Sequence, residues 1–488
     1  MCNKGWVLGM KTYEELNGEQ GRRIYYRPER FSVKSLFDGP LPATDIADRP
    51  HKLIDISLSG LAATTPHESP LEIGDVVPVR LRMHNVPIHE GRGKVTRKEP
   101  AFDGTKIALT FIDGYLDVPV LLSRYKEQSL HHELNRHLYT DQHLIPESYK
   151  LLCADFLHTL RKYRRILAQW SAETSGRPSM KSEEILDICE EHFKAAWHQF
   201  QRETNDEIEA MMSNPSAIAA MKTYTEMIVT PDLIHGPIWS QAYEKPLGYP
   251  GDHLVMNYVY GGQDEGQSPY GKFVHRLGLD ALECVAERMR MMEGMIAAEM
   301  KSANNTQLTV TNLACGTAQE VVNILRSQDL PGKVKFSLID QDEKALTHAY
   351  NSTYPDVVRH KGSAQVQGFH SSFIELMKGG ALKDILPAQD MVYSVGLFDY
   401  LKHKRAKSLL ESLYVKVKPG GLLVVGNLKR SRNSGLWAAE MACDWTMFYR
   451  TEADMRALAA DIPSQDVEVR TDTTDRIYMM SIRKPFSS

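Results

Sequence analysis

The sequence predicts a multidomain chain that combines an all-β part with an α/β part. A small N-terminal β-barrel, a helical middle region and a C-terminal α/β sheet are expected in that order. Three observations predict it. Residues 21–118 alternate apolar and polar positions between frequent turn signals. Residues 119–235 repeat apolar positions at helical spacing. Residues 307–488 alternate short apolar runs with amphipathic stretches, the pattern of a parallel sheet covered by helices. A chain of 488 residues exceeds what one core can fill, which agrees with several domains.

Residues 1–20 form an N-terminal extension. Its opening, Met-Cys-Asn-Lys-Gly-Trp-Val-Leu-Gly-Met, has one lysine and a very short apolar stretch, so no secretory signal is expected. Within 21–118, Val76-Val-Pro-Val-Arg-Leu-Arg82 and Lys106-Ile-Ala-Leu-Thr-Phe-Ile112 read as antiparallel strands of a barrel or sandwich. Before them stands Gly21-Arg-Arg-Ile-Tyr-Tyr-Arg27. It contains an R-x-x-x-R (Arg23, Arg27) preceded by Arg22, and 28 positions after Arg27 comes Asp55-Ile-Ser-Leu-Ser-Gly60, a D-x-S-x-x-G. Planar, multi-donor arginines suit phosphates and guanine edges. Asp55 and Ser57 add an acceptor and a hydroxyl, and Gly60 lets a strand pass close to a ligand. Over Gly21 to Asp117 the chain resembles the PilZ domains. The resemblance implies cyclic di-GMP binding through Arg22, Arg23, Arg27, Asp55, Ser57 and Gly60.

Residues 119–235 are expected to be a helical linker domain. Tyr149-Lys-Leu-Leu-Cys-Ala-Asp-Phe-Leu and Glu183-Glu-Ile-Leu-Asp-Ile-Cys carry its helical spacing, with a loop from Ser171 to Ser179. A cap segment and a lead-in helix follow over 236–306, the helix spanning 279–300.

From 307 to the end, Leu308-Thr-Val-Thr-Asn-Leu313 is a strand. It runs into the small-residue turn Ala314-Cys-Gly-Thr-Ala318 and the amphipathic Gln319-Glu-Val-Val-Asn-Ile-Leu325. A second strand, Val334-Lys-Phe-Ser-Leu-Ile339, ends on Asp340, 24 positions after Gly316. Strand, tight turn, helix and a later carboxylate suit an adenosine ligand, the carboxylate taking the ribose hydroxyls. G-x-G-x-x-G is absent and no Walker lysine follows, so the ligand is expected to lack phosphates there. Asp390-Met-Val-Tyr-Ser-Val-Gly396 and Val415-Lys-Val-Lys-Pro-Gly-Gly-Leu-Leu-Val-Val-Gly426 add two strands. Proline is expected to end the preceding helix, with glycine at its C-terminal cap. From about Gln307 to Lys484 the chain resembles the class I S-adenosylmethionine-dependent methyltransferases, with a Rossmann-like sheet. That family usually carries an acid at Asn312 and glycines at Ala314 and Ala318. The resemblance implies a cofactor site at Asn312, Ala314, Cys315, Gly316, Thr317, Asp340 and Gln341. Ser371, Ser372 and Phe373 after the third strand, and Ser394 and Gly396 after the fourth, complete it. Val467-Glu-Val-Arg and Arg476-Ile-Tyr-Met-Met-Ser-Ile-Arg would supply the closing antiparallel pair.

Trp239 to Tyr260 packs aromatics, glycines, prolines and ionisable groups into 22 residues, which suggests a segment that lines something. Its Lys-Pro-x-Gly-Tyr-x-Gly-Asp run, on Lys245, Pro246, Gly248, Tyr249, Gly251 and Asp252, is similar to 3-hydroxy-fatty-acid methyl ester biosynthesis proteins. A carboxylate acceptor needs no general base but does need a cation; Lys245, His253, Arg430 and Arg450 are candidates. A hydroxyl or amine acceptor needs a base; Asp399, His403 or Asp252 could serve. Gly396-Leu-Phe-Asp-Tyr-Leu401, with Asp399 and Tyr400, stands where this family places acceptor-facing residues. Trp437-Ala-Ala-Glu-Met-Ala-Cys-Asp-Trp-Thr-Met-Phe-Tyr-Arg450 is a core stripe or, as pocket, a wall for an acyl chain.

Composition bounds the function. With 42% hydrophobic and 25% charged residues the chain is globular rather than disordered. A net charge of −4 argues against a general nucleic-acid or membrane-surface binder. No base-flipping Asn-Pro-Pro-Tyr motif follows the Asp390 strand, which disfavours a nucleic-acid methyltransferase. No apolar run approaches a membrane span. Six scattered cysteines without C-x-x-C spacing disfavour zinc and disulfides, and favour a cytoplasmic location. Expected partners are a small-molecule or fatty-acid-like acceptor and cyclic di-GMP, with a homodimer as an option. The functional expectation is a cyclic-di-GMP-regulated, S-adenosylmethionine-dependent methyltransferase acting on a small or lipid-like carboxylic acid. The alternative is a cyclic-di-GMP-responsive signalling adaptor whose methyltransferase fold is non-catalytic.

Overall fold

The computed structural model describes residues 30–486, apart from 38–40, 66–69, 84–85, 102–103, 136–140, 175–181, 248, 263, 304–305, 328, 331, 379–385 and 465. Arg22, Arg23, Arg27 and Gly248 lie outside the described residues. The chain divides into two compact units, Met1–Leu138 and Tyr139–Ser488.

The first unit is an antiparallel barrel. Its elements are β1 (Arg30–Ser32), α1 (Val33–Leu36), β2 (Ala43–Ile46), β3 (Arg49–Ser57), β4 (Gly60–Thr65), β5 (Val76–Met83), β6 (Val86–Ala101), β7 (Gly104–Phe111) and α2 (Val118–Asn135). The order β3-β2-β5-β6-β7-β4 closes because β4 also pairs with β3, leaving β1 as an extra strand on β3. Closure removes the free edges that an open sheet would expose. Period-two burial, as in β5, sends Val77, Val79, Leu81 and Met83 into one core with Ile56, Leu61 and Leu109.

The second unit opens with helices α3 (Glu147–Thr174), α4 (Ser182–Met211), α5 (Pro215–Ile228), α6 (Thr230–Leu233), α7 (Pro237–Glu244), α8 (His253–Gly261), α9 (Pro269–Ala281) and α10 (Glu283–Ser302). Local chemistry sets their starts. Asn214 accepts from Ala217 N–H ahead of Pro215, and Ser268 accepts from Gly271 N–H ahead of Pro269. The single lead-in helix expected over 279–300 is two helices broken at Leu282. Gly278 allows the tight packing of α9: a Cβ there would lie 2.4 Å from Ile238 Cγ2.

The α/β part follows as β8 (Leu308–Leu313), α11 (Gln319–Arg326), β9 (Val334–Asp340), α12 (Glu343–Arg359), β10 (Ala364–His370), α13 (Phe373–Lys378), β11 (Gln389–Ser394), α14 (His403–Val415), β12 (Val417–Leu428), α15 (Glu452–Leu458), β13 (Val467–Thr471) and β14 (Ile477–Arg483). The strand order is β10-β9-β8-β11-β12-β14-β13, with β14 antiparallel to both neighbours and the first five strands parallel. The chain reverses direction across the sheet between β8 and β11, where such sheets open a crevice at their carboxyl ends. Lys418-Pro-Gly-Gly421 does not cap the preceding helix as expected. Helix α14 ends at Val415 with Lys416 as its cap, and the run lies inside β12, at a register shift against β11. Gly420, at φ 78°, takes the turn there, and Gly421 passes so close to β11 that a Cβ would lie 2.7 Å from Asp390 O.

One core runs through α3–α10 and one face of the sheet, and a second fills the opposite face under α13–α15. Buried Trp437, in the π-turn Trp437–Met441, joins the helices to the sheet. It stacks edge-on against Phe156 and Phe200 and donates to Tyr149 Oη at 3.1 Å. No helix among the described residues is long and apolar enough to cross a membrane.

Candidate functional site

A cavity of about 1050 Å³ opens at the carboxyl ends of β8, β9 and β11. Its sheet side is built by the turn after β8: Asn312, Ala314, Cys315, Gly316, Thr317 and Ala318 all line it. The backbone is left-handed at Ala314 (φ 55°), Gly316 (φ 53°) and Ala318 (φ 48°). Two of these three positions carry a Cβ despite the cost of that conformation.

Asp340 closes the next side. Its Oδ2 accepts from Gly316 N–H at 2.8 Å and its Oδ1 from Asp342 N–H at 2.9 Å. Burial raises its pKa against these hydrogen bonds, which pull it down. Gln341 lines the cavity as well, with Ser371, Phe373 and Gly396. Two expected cofactor residues do not. Ser394 Oγ is spent on Leu313 O at 2.8 Å, bracing β11 to β8, and Ser372 Oγ accepts from Ile374 N–H at the start of α13.

The opposite wall is helical and aromatic. Tyr249, Gly251, His253, Met256 and Tyr260 come from the cap segment and α8; Met447, Trp445 and Tyr449 come from the stripe before α15. That stripe is therefore divided, with Trp437 in the core and Trp445, Met447 and Tyr449 at the cavity. Tyr249 Oη donates to Asp342 Oδ2 at 2.5 Å, bridging the cap to the loop after β9, and burial together with that carboxylate holds the phenol pKa high. Trp445 Nε1 donates to Tyr400 Oη at 2.9 Å. His253 Nδ1 is buried without a partner.

The candidate acceptor groups separate sharply. His253, Tyr249, Asp399 and Tyr400 line the cavity; Lys245, Asp252, His403, Arg430 and Arg450 do not. Each of four of those five is committed elsewhere. Lys245 Nζ bonds Asp444 Oδ2 at 2.5 Å, from a left-handed residue that caps α7. Asp252 is the buried N-cap of α8, accepting from Leu254 and Val255 N–H at 2.9 Å and from Gln241 Nε2 at 2.7 Å. Arg430 pairs with Glu209 of α4. Arg450 is buried and donates to Phe398 O, Leu401 O and Asn427 Oδ1, where burial lowers its pKa. Asp399 is also unsuited to act as a base. Its Oδ1 accepts from Leu428 N–H at 2.7 Å and its Oδ2 from Arg288 Nη1 at 3.0 Å.

Among the buried charged residues of the cavity, two were not foreseen. Arg288 of α10 and Glu320 of α11 are both buried and both line the cavity. Glu320 Oε1 accepts from Asn312 Nδ2 at 2.8 Å and from Tyr393 Oη at 2.6 Å. Burial raises its pKa. The signal was present in the sequence: Glu320 stands four positions before Ile324, and Arg288 four after Cys284 and four before Met292, so each is a charge on the apolar face of a helix. In the barrel, Ser57 Oγ donates to Gly60 O at 3.1 Å. A Cβ on Gly60 would lie 2.0 Å from Leu109 O.

A family model described as "Putative methyltransferase" matches residues 244–484. No curated protein matches the chain. Similar solved structures include a possible exported protein from Bordetella parapertussis, at 18% identity over 56% of this chain and 99% of that one, TM-score 0.40. Another is the magnesium protoporphyrin IX methyltransferase of Synechocystis with bound SAH, at 14% identity over 52% of this chain and 99% of that one, TM-score 0.35. A third is the S-adenosylmethionine-dependent methyltransferase SibL, at 14% identity over 68% and 98%, TM-score 0.36. Scores this low lend no weight to a functional assignment, which rests instead on the family match and on the cavity at the carboxyl edge of the sheet. Over residues 244–484, this chain carries a methyltransferase domain.

Proposed function

We propose that the chain transfers the methyl group of S-adenosylmethionine to a small or lipid-like carboxylic acid, under the control of cyclic di-GMP. The observation that carries the first part is a single cavity with two kinds of wall. One is a small-residue turn with a backbone-held carboxylate; the other is a wall of Met256, Met289, Met447, Trp445 and Tyr449. The bound cofactor would supply an electrophilic methyl on sulfur. Asp340, oriented by Gly316 and Asp342, keeps lone pairs for two ribose hydroxyls. The turn lets an adenosyl group approach the backbone without a phosphate anchor. Methyl transfer needs alignment and exclusion of water more than proton movement. The cap offers both, through Tyr249 on Asp342 and through Gly251 against Trp445 and Tyr400.

For an ionised carboxylate no base is required, and Asp399, already holding Arg288 and Leu428 N–H, is not one. His253 and Tyr400 remain as acceptor-facing donors: His253 has a ring nitrogen without a partner, and Tyr400 Oη accepts from Trp445 while its own proton stays available. The methionine-rich wall suits an acyl chain. The test is incubation with methyl-deuterated S-adenosylmethionine and a panel of alkanoic and hydroxyalkanoic acids, read by mass spectrometry for labelled methyl esters. Binding of the cofactor without any labelled product from that panel or from cell extract would favour the adaptor reading.

For the regulatory part, support comes from the barrel. Ser32 pairs with Asp55 and Arg30 with Ser57 in the β1–β3 register, so the chain that follows Arg22, Arg23 and Arg27 runs beside the D-x-S-x-x-G residues. Gly60 is required by its contact with β7, and its carbonyl is held by Ser57. Titration of cyclic di-GMP into the wild-type chain and an Arg23→Ala/Arg27→Ala variant checks this. Undiminished binding in the variant would reject the assignment.

A further inference from the structure

An adenosyl cofactor with a methionyl end carries an ammonium and a carboxylate as well as a nucleoside. The departure at the turn raises the question of what receives that ammonium, because Asn312 is neutral. Asn312 is not idle. Its Nδ2 donates to Glu320 Oε1, which also takes the Tyr393 hydroxyl. Both side-chain donors bond Oε1, so no side chain donates to Glu320 Oε2 among the described residues; the residue's own backbone N–H bonds the carboxyl, and Glu320 lines the cavity. At 6% exposure, this carboxylate is buried.

Arg288 is its counterpart. At 8% exposure, it commits Nη1 to Asp399. Its only side-chain hydrogen bond among the described residues runs through Nη1, and its Nη2 lies 3.7 Å from where a Cβ on Gly396 would stand. Arg288 and Glu320 feel each other's charge, and both act on Tyr260. Asn312 and Tyr393, the two partners of Glu320, face each other in the β8–β11 register, and Gly396 follows β11. The two charges therefore stand over the gap between β8 and β11, at the switch point of the sheet. A separate carboxylate and guanidinium, each buried and each lining the cavity, match an α-amino acid group better than a lone ion.

Resting on the cofactor reading above, we propose that Glu320 and Arg288 form a cradle for the amino-acid end of the cofactor: Glu320 takes the ammonium and Arg288 the carboxylate. The carboxylate absent from position 312 is thereby supplied from α11, with Asn312 as its positioning residue. Asp399 orients Arg288 and does not touch the ligand.

Four adenosine thioethers or sulfonium compounds, S-adenosylmethionine among them, test this by calorimetry on the full chain. S-adenosylhomocysteine carries the whole amino-acid end, and 5′-methylthioadenosine carries none of it; both have an uncharged sulfur. Decarboxylated S-adenosylmethionine keeps the amine and lacks the carboxylate. Wild type is expected to bind S-adenosylhomocysteine at least about tenfold more tightly than methylthioadenosine, the scale of a charge-assisted contact. In Glu320→Gln that preference should shrink by about tenfold or more, while methylthioadenosine binding changes less than about twofold. Glu320→Gln keeps an oxygen for Asn312 and Tyr393, so the fold is retained. Arg288→Gln should erase the preference of S-adenosylmethionine over its decarboxylated form; should that variant fail to fold, the wild-type ratio for this ligand pair still decides the carboxylate half. Equal weakening of both neutral ligands in Glu320→Gln, or no change in either, would overturn the cradle alone. Absence of any binding to wild type would remove the cofactor reading and the cradle with it.

Discussion

Asp340 and Glu320 line the same cavity, and burial raises the pKa of both carboxyls, yet they ask for different tests. Asp340 is aimed by two backbone N–H groups, so its removal should weaken the cofactor directly. Asp340→Ala is expected to cost about 2 kcal/mol or more of S-adenosylmethionine binding, the scale for losing charge-assisted hydrogen bonds to a buried carboxylate; calorimetry checks it. Glu320 gives a pH signature. Its folded pKa lies above the ordinary 4.5 because burial penalises the charged form. The empty folded state therefore binds the proton more tightly than the unfolded chain. Stability from this group is present below the unfolded value and is lost as pH rises through the folded one. The melting temperature of the ligand-free Glu320→Gln variant should gain on wild type as pH rises from 4 to 7. A flat difference across that range would show that Glu320 does not titrate in this window. Asp340 was readable from its place after the second strand. Glu320 showed in the sequence only as a charge on an apolar helix face; its role depends on Asn312 and Tyr393, which only the fold brings to it.

At the scale of elements, the cap segment shows how a short stretch is given one shape. Asp252 caps α8 and also takes Gln241 of α7, tying the two helices across the intervening turn. Lys245, in the left-handed region, ends α7 and reaches Asp444. Gly251 lies against the ring of Trp445, where a Cβ would come within 2.5 Å of Cζ2 and 2.9 Å of Tyr400 Oη. Gly251→Ala must push these rings apart. It should cost about 1–3 kcal/mol, as overpacking does, and should shift the Trp445 fluorescence. An unchanged melting curve and emission spectrum would mean that the cap does not press on the stripe. The motif residues were visible in the sequence as a dense, costly segment. That Lys245 and Asp252 serve the geometry of the segment rather than chemistry follows from helix ends that the residue pattern alone left unassigned.

For the whole molecule, the helices α3–α10 and the sheet share one core, so they should unfold together. Trp437 is where they meet. Trp437→Ala should destabilise the Tyr139–Ser488 unit by about 3–5 kcal/mol, the cost of removing a large buried ring. In calorimetry that unit's transition should fall, while the transition of the barrel unit stays in place. Separate movement of a helical transition and a sheet transition would refute the shared core. The regulatory proposal belongs to this scale too. If cyclic di-GMP acts on methyl transfer, S-adenosylmethionine affinity should shift by the equivalent of about 1–3 kcal/mol at saturating cyclic di-GMP, with the reciprocal shift in the other titration. Identical affinities and rates in both conditions would leave the barrel as a recruiting module.

The sequence by itself determined what depends on neighbours along the chain. Alternation sets strands, helical spacing sets helices, and small residues followed by a carboxylate set the adenosine-type turn. These follow from backbone sterics and from which face each residue presents, so β8, its turn and Asp340 were legible. The tertiary structure alone decided which charges remain open. Arg450, Arg430, Lys245 and Asp252 have the right chemistry for an acceptor site, but Arg430 is spent on Glu209, Lys245 on Asp444, and Arg450 and Asp252 on carbonyls and helix ends. Arg288 and Glu320 sit on the apolar faces of helices, and both are buried yet line the cavity. The reason is desolvation: a buried charge must be satisfied, and whether its partner is a carbonyl, a carboxylate or a ligand depends on residues far away in the chain.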